Sequence, residues 1–289
     1  MEALDALRLQ IEFGADEALE DAPVDRRHPG APPADALAED TAPARAALRP
    51  SVPPPSADRR SGDHPSGGRS SGDRVALARP DTALPAARIA AELAAAADTL
   101  SALRAAIAAF DGCALKATAA NLVFAEGDPD AGLLLIGEAP NDADDRAGRP
   151  FAGPAGAYLD KMLASIGLDR SRLLLAPLVP WRPPGDRPPS PAERAACRPF
   201  LHRLIVLVRP RRVVLLGPLA SQDLLGSGLG RRGTREAWRA LAAPPLDPIP
   251  ALAAQDPGFL LRNPGPARRR AWAELRLLRR TMDLHITKM

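Results

Sequence analysis

Short runs of apolar residues recur along the second half of the chain, and mixed polar and apolar stretches separate them. The runs centre on Leu133, Leu174, Val214 and Ile249. Continuous apolar runs between helical patterns are typical of parallel strands that helices cover on both faces. The pattern predicts an α/β fold of three layers, in which a four-stranded parallel sheet lies between two layers of helices.

The segments around these runs have the composition and spacing of helices. Residues 85–110 are rich in alanine and leucine and predict one long helix at the start of the folded domain. Residues 157–167 place their apolar side chains on one stripe and end at a glycine. Ser190, Pro191 and Glu193 have the pattern of a capping box with proline at the first helical position.

The first 84 residues differ from the rest. Residues 1–20 have roughly helical apolar spacing and predict a short amphipathic helix. Residues 21–84 consist mainly of Pro, Ala, Ser, Gly, Asp and Arg, a composition that buries too little apolar surface to offset its ordering entropy. We therefore predict a disordered linker over residues 21–84 and a folded domain over residues 85–289.

Composition limits the class of protein. The net charge of +3 is compatible with a polyanionic partner but does not establish one. Two cysteines among 289 residues are too few for a disulfide framework or a four-ligand metal site, so we expect free thiols and no metal. The chain has no apolar stretch of membrane-spanning length and no secretory signal pattern. These features predict a cytoplasmic protein that does not enter membranes.

The loop that follows the first apolar run is the main candidate site. Its sequence, GEAPNDADDRAGRPFAG, covers residues 137–153 and combines glycine, proline and carboxylates with one phenylalanine. Ligands of open α/β sheets bind at the carboxyl ends of the strands. A strand that runs directly into such a loop and then a helix therefore predicts a binding site.

Several segments together resemble one family. GEAPNDADDRAGRPFAGPAG, WRPPGDRPPSPAE, VVLLG and DPGFLLRNP occur in this order and resemble the family 4, iron–sulfur branch of the uracil-DNA glycosylase superfamily. The likeness extends from about Cys113 to the last helix. It implies an enzyme of base-excision repair that flips a damaged base out of single- or double-stranded DNA and hydrolyses its N-glycosidic bond. We expect a monomer.

The resemblance assigns roles to residues of the candidate loop. Phe151 corresponds to the aromatic ring on which the flipped base stacks, an interaction of about 1–3 kcal/mol, and Gly137 belongs to the same base-binding motif. Glu138 and Asp144 correspond to the carboxylates of the first motif, and Glu138 is our first choice for the catalytic role. For either acid the alternative is a solvated loop carboxylate or a cap of the following helix, and for Asp144 this alternative is an equally good interpretation.

Departures from the family are concentrated in the expected base pocket. Asp256 replaces the family histidine that hydrogen-bonds the base, Pro177 replaces an asparagine that reads its edge, and Asn141 replaces a glycine. A carboxylate at position 256 has the wrong sign to stabilise a departing anion. We therefore expect weak or altered base excision. The alternative is a catalytically inactive glycosylase fold that binds DNA or protein.

The family's [4Fe–4S] cluster needs four cysteines, and this chain has only two of them. Cys113 and Cys197 remain, while Phe110 and Trp181 occupy the other two positions. Two thiolates cannot hold the cluster. We expect no cofactor and interpret the two aromatic residues as core packing.

Arginines near the loop and the last helix are candidate DNA contacts, because arginine binds phosphate without sequence preference. The resemblance places Arg262 near DNA, and Arg149 lies within the candidate loop. The later arginines Arg276, Arg279 and Arg280 fit a solvated helix face better.

Overall fold

The computed structural model describes residues 83–226 and 237–286 of the chain. The predicted N-terminal helix of residues 1–20 lies outside the described residues, and so does the predicted linker up to residue 82. The first described helix begins at Ala83, just before the predicted domain boundary at residue 85.

The described residues form a six-stranded sheet with the strand order β1-β3-β2-β4-β6-β5. Its strands are β1 (Glu126–Gly127), β2 (Leu133–Gly137), β3 (Leu174–Pro177), β4 (Arg212–Leu216), β5 (Arg239–Leu241) and β6 (Ile249–Ala254). The four predicted strands form the parallel centre, as β3, β2, β4 and β6. The prediction of a purely parallel, four-stranded sheet is wrong at the edges, where β1 and β5 pair antiparallel. These edge strands have two and three residues, too few to form a recognisable apolar pattern.

Eight α-helices lie in the described part of the chain. They are α1 (Ala83–Ala96), α2 (Leu100–Ala109), α3 (Asp142–Ala147), α4 (Pro154–Ala164), α5 (Pro191–Val208), α6 (Pro218–Leu225), α7 (Pro257–Arg262) and α8 (Pro266–Ile286). The predicted capping box at Ser190 and Glu193 is present at the start of α5. Of the helices described, none is both long and apolar enough to cross a membrane.

The single long helix predicted over residues 85–110 is wrong, because the chain breaks it into α1 and α2. Thr99 has extended backbone angles, and its hydroxyl accepts a hydrogen bond from the Ala102 N–H. This N-cap satisfies a backbone donor at the start of α2 and so favours a new helix over a continuous one. Helix propensity alone does not reveal this break.

Two apolar clusters cover the two faces of the sheet. Leu134, Ile136 and Val213 face the cluster that contains side chains of α1, α2 and α5. Leu135 and Val214 face the cluster that contains side chains of α4 and α8. The strands are therefore buried on both faces, which explains why their sequences are continuously apolar.

The register of the sheet brings four loop starts to one edge. Gly137 at the end of β2 pairs with Pro177 at the end of β3, and Leu216 of β4 pairs with Ala254 of β6. Since these strands are parallel, the residues that follow them enter the same crevice.

Candidate active site

A cavity of about 250 Å³ lies at the carboxyl edge of the sheet. Residues at the ends of three central strands line it: Glu138 after β2, Pro177 at the end of β3 and Asp256 after β6. Gly217, after β4, lies against the Glu138 side chain. Six of the seven sequence-predicted site residues line this cavity: Gly137, Glu138, Asp144, Phe151, Asp256 and Arg262.

Phe151 forms one wall of the cavity and is held in an unusual backbone conformation. Its φ of 52° lies in the left-handed region, which non-glycine residues rarely adopt. The Arg170 guanidinium donates a 2.6 Å hydrogen bond to the Phe151 carbonyl. A Cβ at Gly137 would come within 2.5 Å of the Phe151 ring. Only glycine at this position therefore leaves room for the ring to pack against β2. Phe151 is half-buried: it lines the cavity and also packs against the apolar cluster that contains side chains of α4 and α8.

Glu138 is the carboxylate best placed for chemistry. Its Oε1 accepts a 2.8 Å hydrogen bond from the backbone N–H of Leu219, at the start of α6. No described residue donates to Oε2. Burial raises the pKa of Glu138, the Leu219 N–H opposes that rise, and the nearby charge of Asp256 adds to it. The side chain is therefore fixed through one oxygen and open through the other.

Asp256 caps the short helix α7. Its Oδ1 accepts a 2.7 Å hydrogen bond from the Phe259 N–H. Burial raises the pKa of Asp256, while the Phe259 N–H and the Arg262 charge act in the opposite direction. Glu138 and Asp256 thus both line the cavity, and the charge of Asp256 disfavours the ionisation of Glu138.

Asp144 lines the cavity, but both of its carboxylate oxygens are occupied by the backbone. Oδ1 accepts a 2.7 Å hydrogen bond from the Ala152 N–H, and Oδ2 accepts one of 3.1 Å from the Asn141 N–H. Burial raises the pKa of this carboxyl, and the two hydrogen bonds lower it. These contacts support the capping interpretation of Asp144, since they join both ends of the loop that carries Phe151.

The comparison with known families identifies the chain. The model described as "Uracil DNA glycosylase superfamily" matches residues 124–276, which include β1 to β6 and every residue that lines the cavity apart from Val123. The chain belongs to the uracil DNA glycosylase superfamily.

Curated relatives of this superfamily member are called type-4 uracil-DNA glycosylases. The protein of Pyrobaculum aerophilum is 37% identical over 43% of this chain and 63% of its own length. Those of Thermotoga maritima and Archaeoglobus fulgidus are 38% and 40% identical, over 37% and 38% of this chain and 56% and 55% of their own lengths. The chain thus matches somewhat more than half of the length of these relatives.

The arginines of this superfamily member differ in their distance from the cavity. Arg262 lines it, whereas Arg149 lies outside the lining and pairs with Glu126 at 3.2 Å. The assignment of Arg149 to DNA binding stays a prediction. Sequence reasoning did not single out Arg187, which also lines the cavity and forms an ion pair with Glu193. Its only sequence signal is its position within the WRPPGDRPPSPAE segment.

The two cysteines of this glycosylase-superfamily chain lie together in an apolar cluster that also contains aromatic residues. The sulfur atoms of Cys113 and Cys197 are 3.8 Å apart, and both residues are buried. Phe110 packs edge-to-face on Phe200 with ring centroids 5.2 Å apart, and Trp181 is buried in the same cluster. Two thiols and two aromatic rings do not supply the four thiolates of a [4Fe–4S] cluster. Within residues 83–226 and 237–286, no group of three or more His, Cys, Asp or Glu side chains has a metal-binding arrangement.

Proposed function

We propose that this protein is a DNA glycosylase that hydrolyses the N-glycosidic bond of uracil or another deaminated base. The observation that carries the proposal is the open carboxylate oxygen of Glu138 in the same cavity as the Phe151 ring. Membership of the uracil DNA glycosylase superfamily supports it.

The base must leave the helical stack to reach this cavity, because its glycosidic bond is inaccessible within a duplex. Stacking of the base on Phe151 would offset about 1–3 kcal/mol of the free-energy cost of extrusion. This cost is lowest for mispaired or single-stranded bases, which favours deaminated bases over paired ones.

Glu138 would act on the sugar rather than on the base. As the C1′–N bond breaks, positive charge develops on the sugar and the base takes the bonding electrons. A carboxylate beside the sugar stabilises that charge and orients the water whose oxygen adds to C1′. The proton released by the water passes through Glu138 to solvent or to the departing base.

Helix α7 carries the side chains that best fit a DNA surface. Phe259 and Leu261 are 40% and 38% exposed, unusual for large apolar residues in this domain. Apolar wedges of this kind fill the space that an extruded base leaves in the stack. Arg262, in the same helix and at the cavity, is placed to neutralise a phosphate.

The protein would carry out this reaction without an iron–sulfur cluster. The aromatic residues Phe110 and Trp181 are buried in the same apolar cluster as Cys113 and Cys197. Aromatic packing supplies stability in this part of the fold without metal ligands.

A second candidate function is a binding module without catalysis. The observation that favours it is Asp256, a carboxylate in the cavity where the departing base accumulates negative charge. Pro177, which has no polar side chain, also lines the cavity. Such a module would bind DNA with a strong salt dependence and leave the glycosidic bond intact.

A single-turnover cleavage assay separates the two functions. The substrates are single- and double-stranded oligonucleotides with one uracil, hypoxanthine or xanthine, and the control strand carries cytosine. We expect cleavage of at least one deaminated base above the level of a Glu138→Ala variant. Cleavage no faster than with that variant, combined with salt-dependent DNA binding, would establish the binding module instead.

Replacing Asp256 by Asn should accelerate excision by about tenfold, which corresponds to about 1.4 kcal/mol. Asparagine caps helices as well as aspartate does, so α7 keeps its start, but the negative charge near the departing base is lost. Loss of that charge also lowers the pKa of Glu138, so the acidic limb of the pH–rate profile should move to lower pH.

The control for this prediction is Asp247→Asn, the same change at an exposed residue outside the cavity lining. Both variants are compared with wild type by single-turnover rates across a range of pH. A rate for Asp256→Asn that is unchanged or lower would contradict the electrostatic role assigned to Asp256.

A further inference from the structure

The side-chain amide of Asn141 has two N–H donors at Nδ2, and the described residues provide no acceptor for them. Asn141 lines the cavity together with Glu138 and Phe151. Its Oδ1 accepts hydrogen bonds from the backbone N–H groups of Ala143, at 2.8 Å, and Asp144, at 3.1 Å. Among the residues that the structure describes, none accepts a hydrogen bond from its Nδ2.

The orientation of this amide is fixed by its chemistry. Only the amide oxygen can accept from two N–H donors, so rotation by 180° would place the NH₂ group against them and lose both hydrogen bonds. The reciprocal bond from the Asn141 N–H to Asp144 Oδ2 holds the backbone at the same point. The amide of this cavity-lining residue therefore has a fixed orientation, and its two Nδ2 donors have no acceptor among the described residues.

Most other polar side chains that line the cavity are charged or already form hydrogen bonds within the protein. Glu138 and Asp256 are acidic, and both oxygens of Asp144 are occupied. Arg187 is engaged with Glu193. Asn141 is consequently the neutral, directional donor available to a base stacked on Phe151.

Deamination changes the groups that such a donor meets. Cytosine carries an amino group at C4 and adenine one at C6, and both groups are donors. Hydrolytic deamination replaces each amino group by a carbonyl oxygen, which is an acceptor. A fixed donor therefore forms a hydrogen bond with the deaminated base, whereas the amino group of the parent base is itself a donor and cannot accept one.

We propose that Asn141 is the residue that selects deaminated bases, by donating a hydrogen bond from Nδ2 to the carbonyl oxygen that deamination creates. This inference rests on the proposed function, because it requires a base in the cavity. An amino group at the same place would oppose two donors and leave both unpaired, which disfavours binding by tenfold or more.

The test measures ground-state preference in a full-length variant that cleaves about 100- to 1000-fold more slowly than wild type, so that binding is measured before the base is excised. Glu138→Gln serves as the parent, and its dissociation constants are measured for fluorescent single-stranded oligodeoxyadenylates with one central uracil or one central cytosine. We expect the parent to bind the uracil strand about tenfold or more tightly than the cytosine strand. Asn141→Asp, added to the parent, should abolish or reverse this preference, because it keeps an N-cap acceptor and removes both donors.

A second variant and a charge control complete the design. Asn141→Gly also removes the donors, costs only a few tenths of a kcal/mol at an N-cap, and adds no charge. It should lose the preference in the same way. Asn263→Asp introduces the same charge change at an exposed position outside the cavity lining and should keep the preference. Thermal denaturation establishes that each variant is folded.

The outcomes separate this inference from the proposed function. If folded Asn141→Asp and Asn141→Gly variants keep the parent's uracil preference, Asn141 is not the selecting residue, while the proposed function stands. A parent that binds both strands equally also overturns the inference, and cleavage of uracil by wild type then still supports glycosylase activity. Absence of both binding preference and cleavage overturns both.

Discussion

Glu138→Gln should lower the single-turnover rate of base excision by about 100- to 1000-fold, the usual cost of removing one group that stabilises charge in a transition state. Glutamine retains an amide oxygen that can accept from the Leu219 N–H, so the side chain keeps its anchor. The variant removes only the negative charge beside the developing positive charge of the sugar. The measurement is the rate of strand cleavage, after alkaline treatment, with enzyme in excess.

The pH dependence of wild type provides a second readout of the same residue. Glu138 acts as a carboxylate, and its pKa is raised by burial. Activity should therefore be present above that raised pKa and be lost as the pH falls through it, earlier than for an ordinary glutamate. Glu138→Gln should lack this limb.

Glu92→Gln is the matched control, because Glu92 lies on the exposed surface of α1 and pairs with Arg88. It should leave both the rate and the pH profile unchanged. A Glu138→Gln variant with more than a third of the wild-type rate would remove Glu138 from the catalytic step.

Phe110→Ala should lower the free energy of unfolding by about 3–5 kcal/mol, the range for removing a large aromatic side chain from a packed core. Phe110 is only 2% exposed and packs edge-to-face on Phe200. The loss of stability measures how much the Phe110 ring contributes to the packing of this apolar cluster. Chemical denaturation followed by circular dichroism gives the value.

Ile89→Ala is the control for that measurement. Ile89 is an apolar residue of α1 that is 51% exposed, so its truncation should change stability by no more than about 0.5 kcal/mol. If Phe110→Ala is as stable as Ile89→Ala, the aromatic ring does not support this part of the fold.

Measuring bound iron tests the proposal that the protein functions without an iron–sulfur cluster. After anaerobic reconstitution with iron and sulfide, wild type should bind no stoichiometric iron, since it offers two thiols where a cluster takes four. The double variant Phe110→Cys with Trp181→Cys restores four cysteines and is the positive control. Stoichiometric iron in wild type would overturn the proposal of a cluster-free protein.

The centre of the fold could be predicted from the sequence because of its burial. Strands covered on both faces must be apolar throughout, so β2, β3, β4 and β6 are visible as apolar runs. The edge strand β5 pairs with β6 through three residues of mixed burial. Its existence depends on the partner strand rather than on its own pattern.

The candidate site was predicted in outline for a related reason. A glycine- and carboxylate-rich loop directly after β2 had to lie at the carboxyl edge of the sheet, which locates Glu138 and Phe151. The contacts that define their roles join distant parts of the chain. The hydrogen bond from Leu219 to Glu138 spans 81 residues, and no local spacing indicates it.

Asn141 illustrates the limit of motif comparison. As a predicted departure from a glycine of the resembled family, it signals only added bulk in the loop. The direction of its amide follows from the two backbone N–H groups of α3 that its oxygen accepts. That information lies in the helix start and not in the motif itself.

Arg170 connects the cavity wall at Phe151 to a residue outside the cavity lining, Asp160. It does not line the cavity, yet its guanidinium holds the Phe151 carbonyl and pairs with Asp160 on α4. A change at either residue would loosen the Phe151 ring without altering the identity of any residue that lines the cavity. Natural substitutions at positions 160 and 170 should therefore affect substrate binding, even though neither residue lines the cavity.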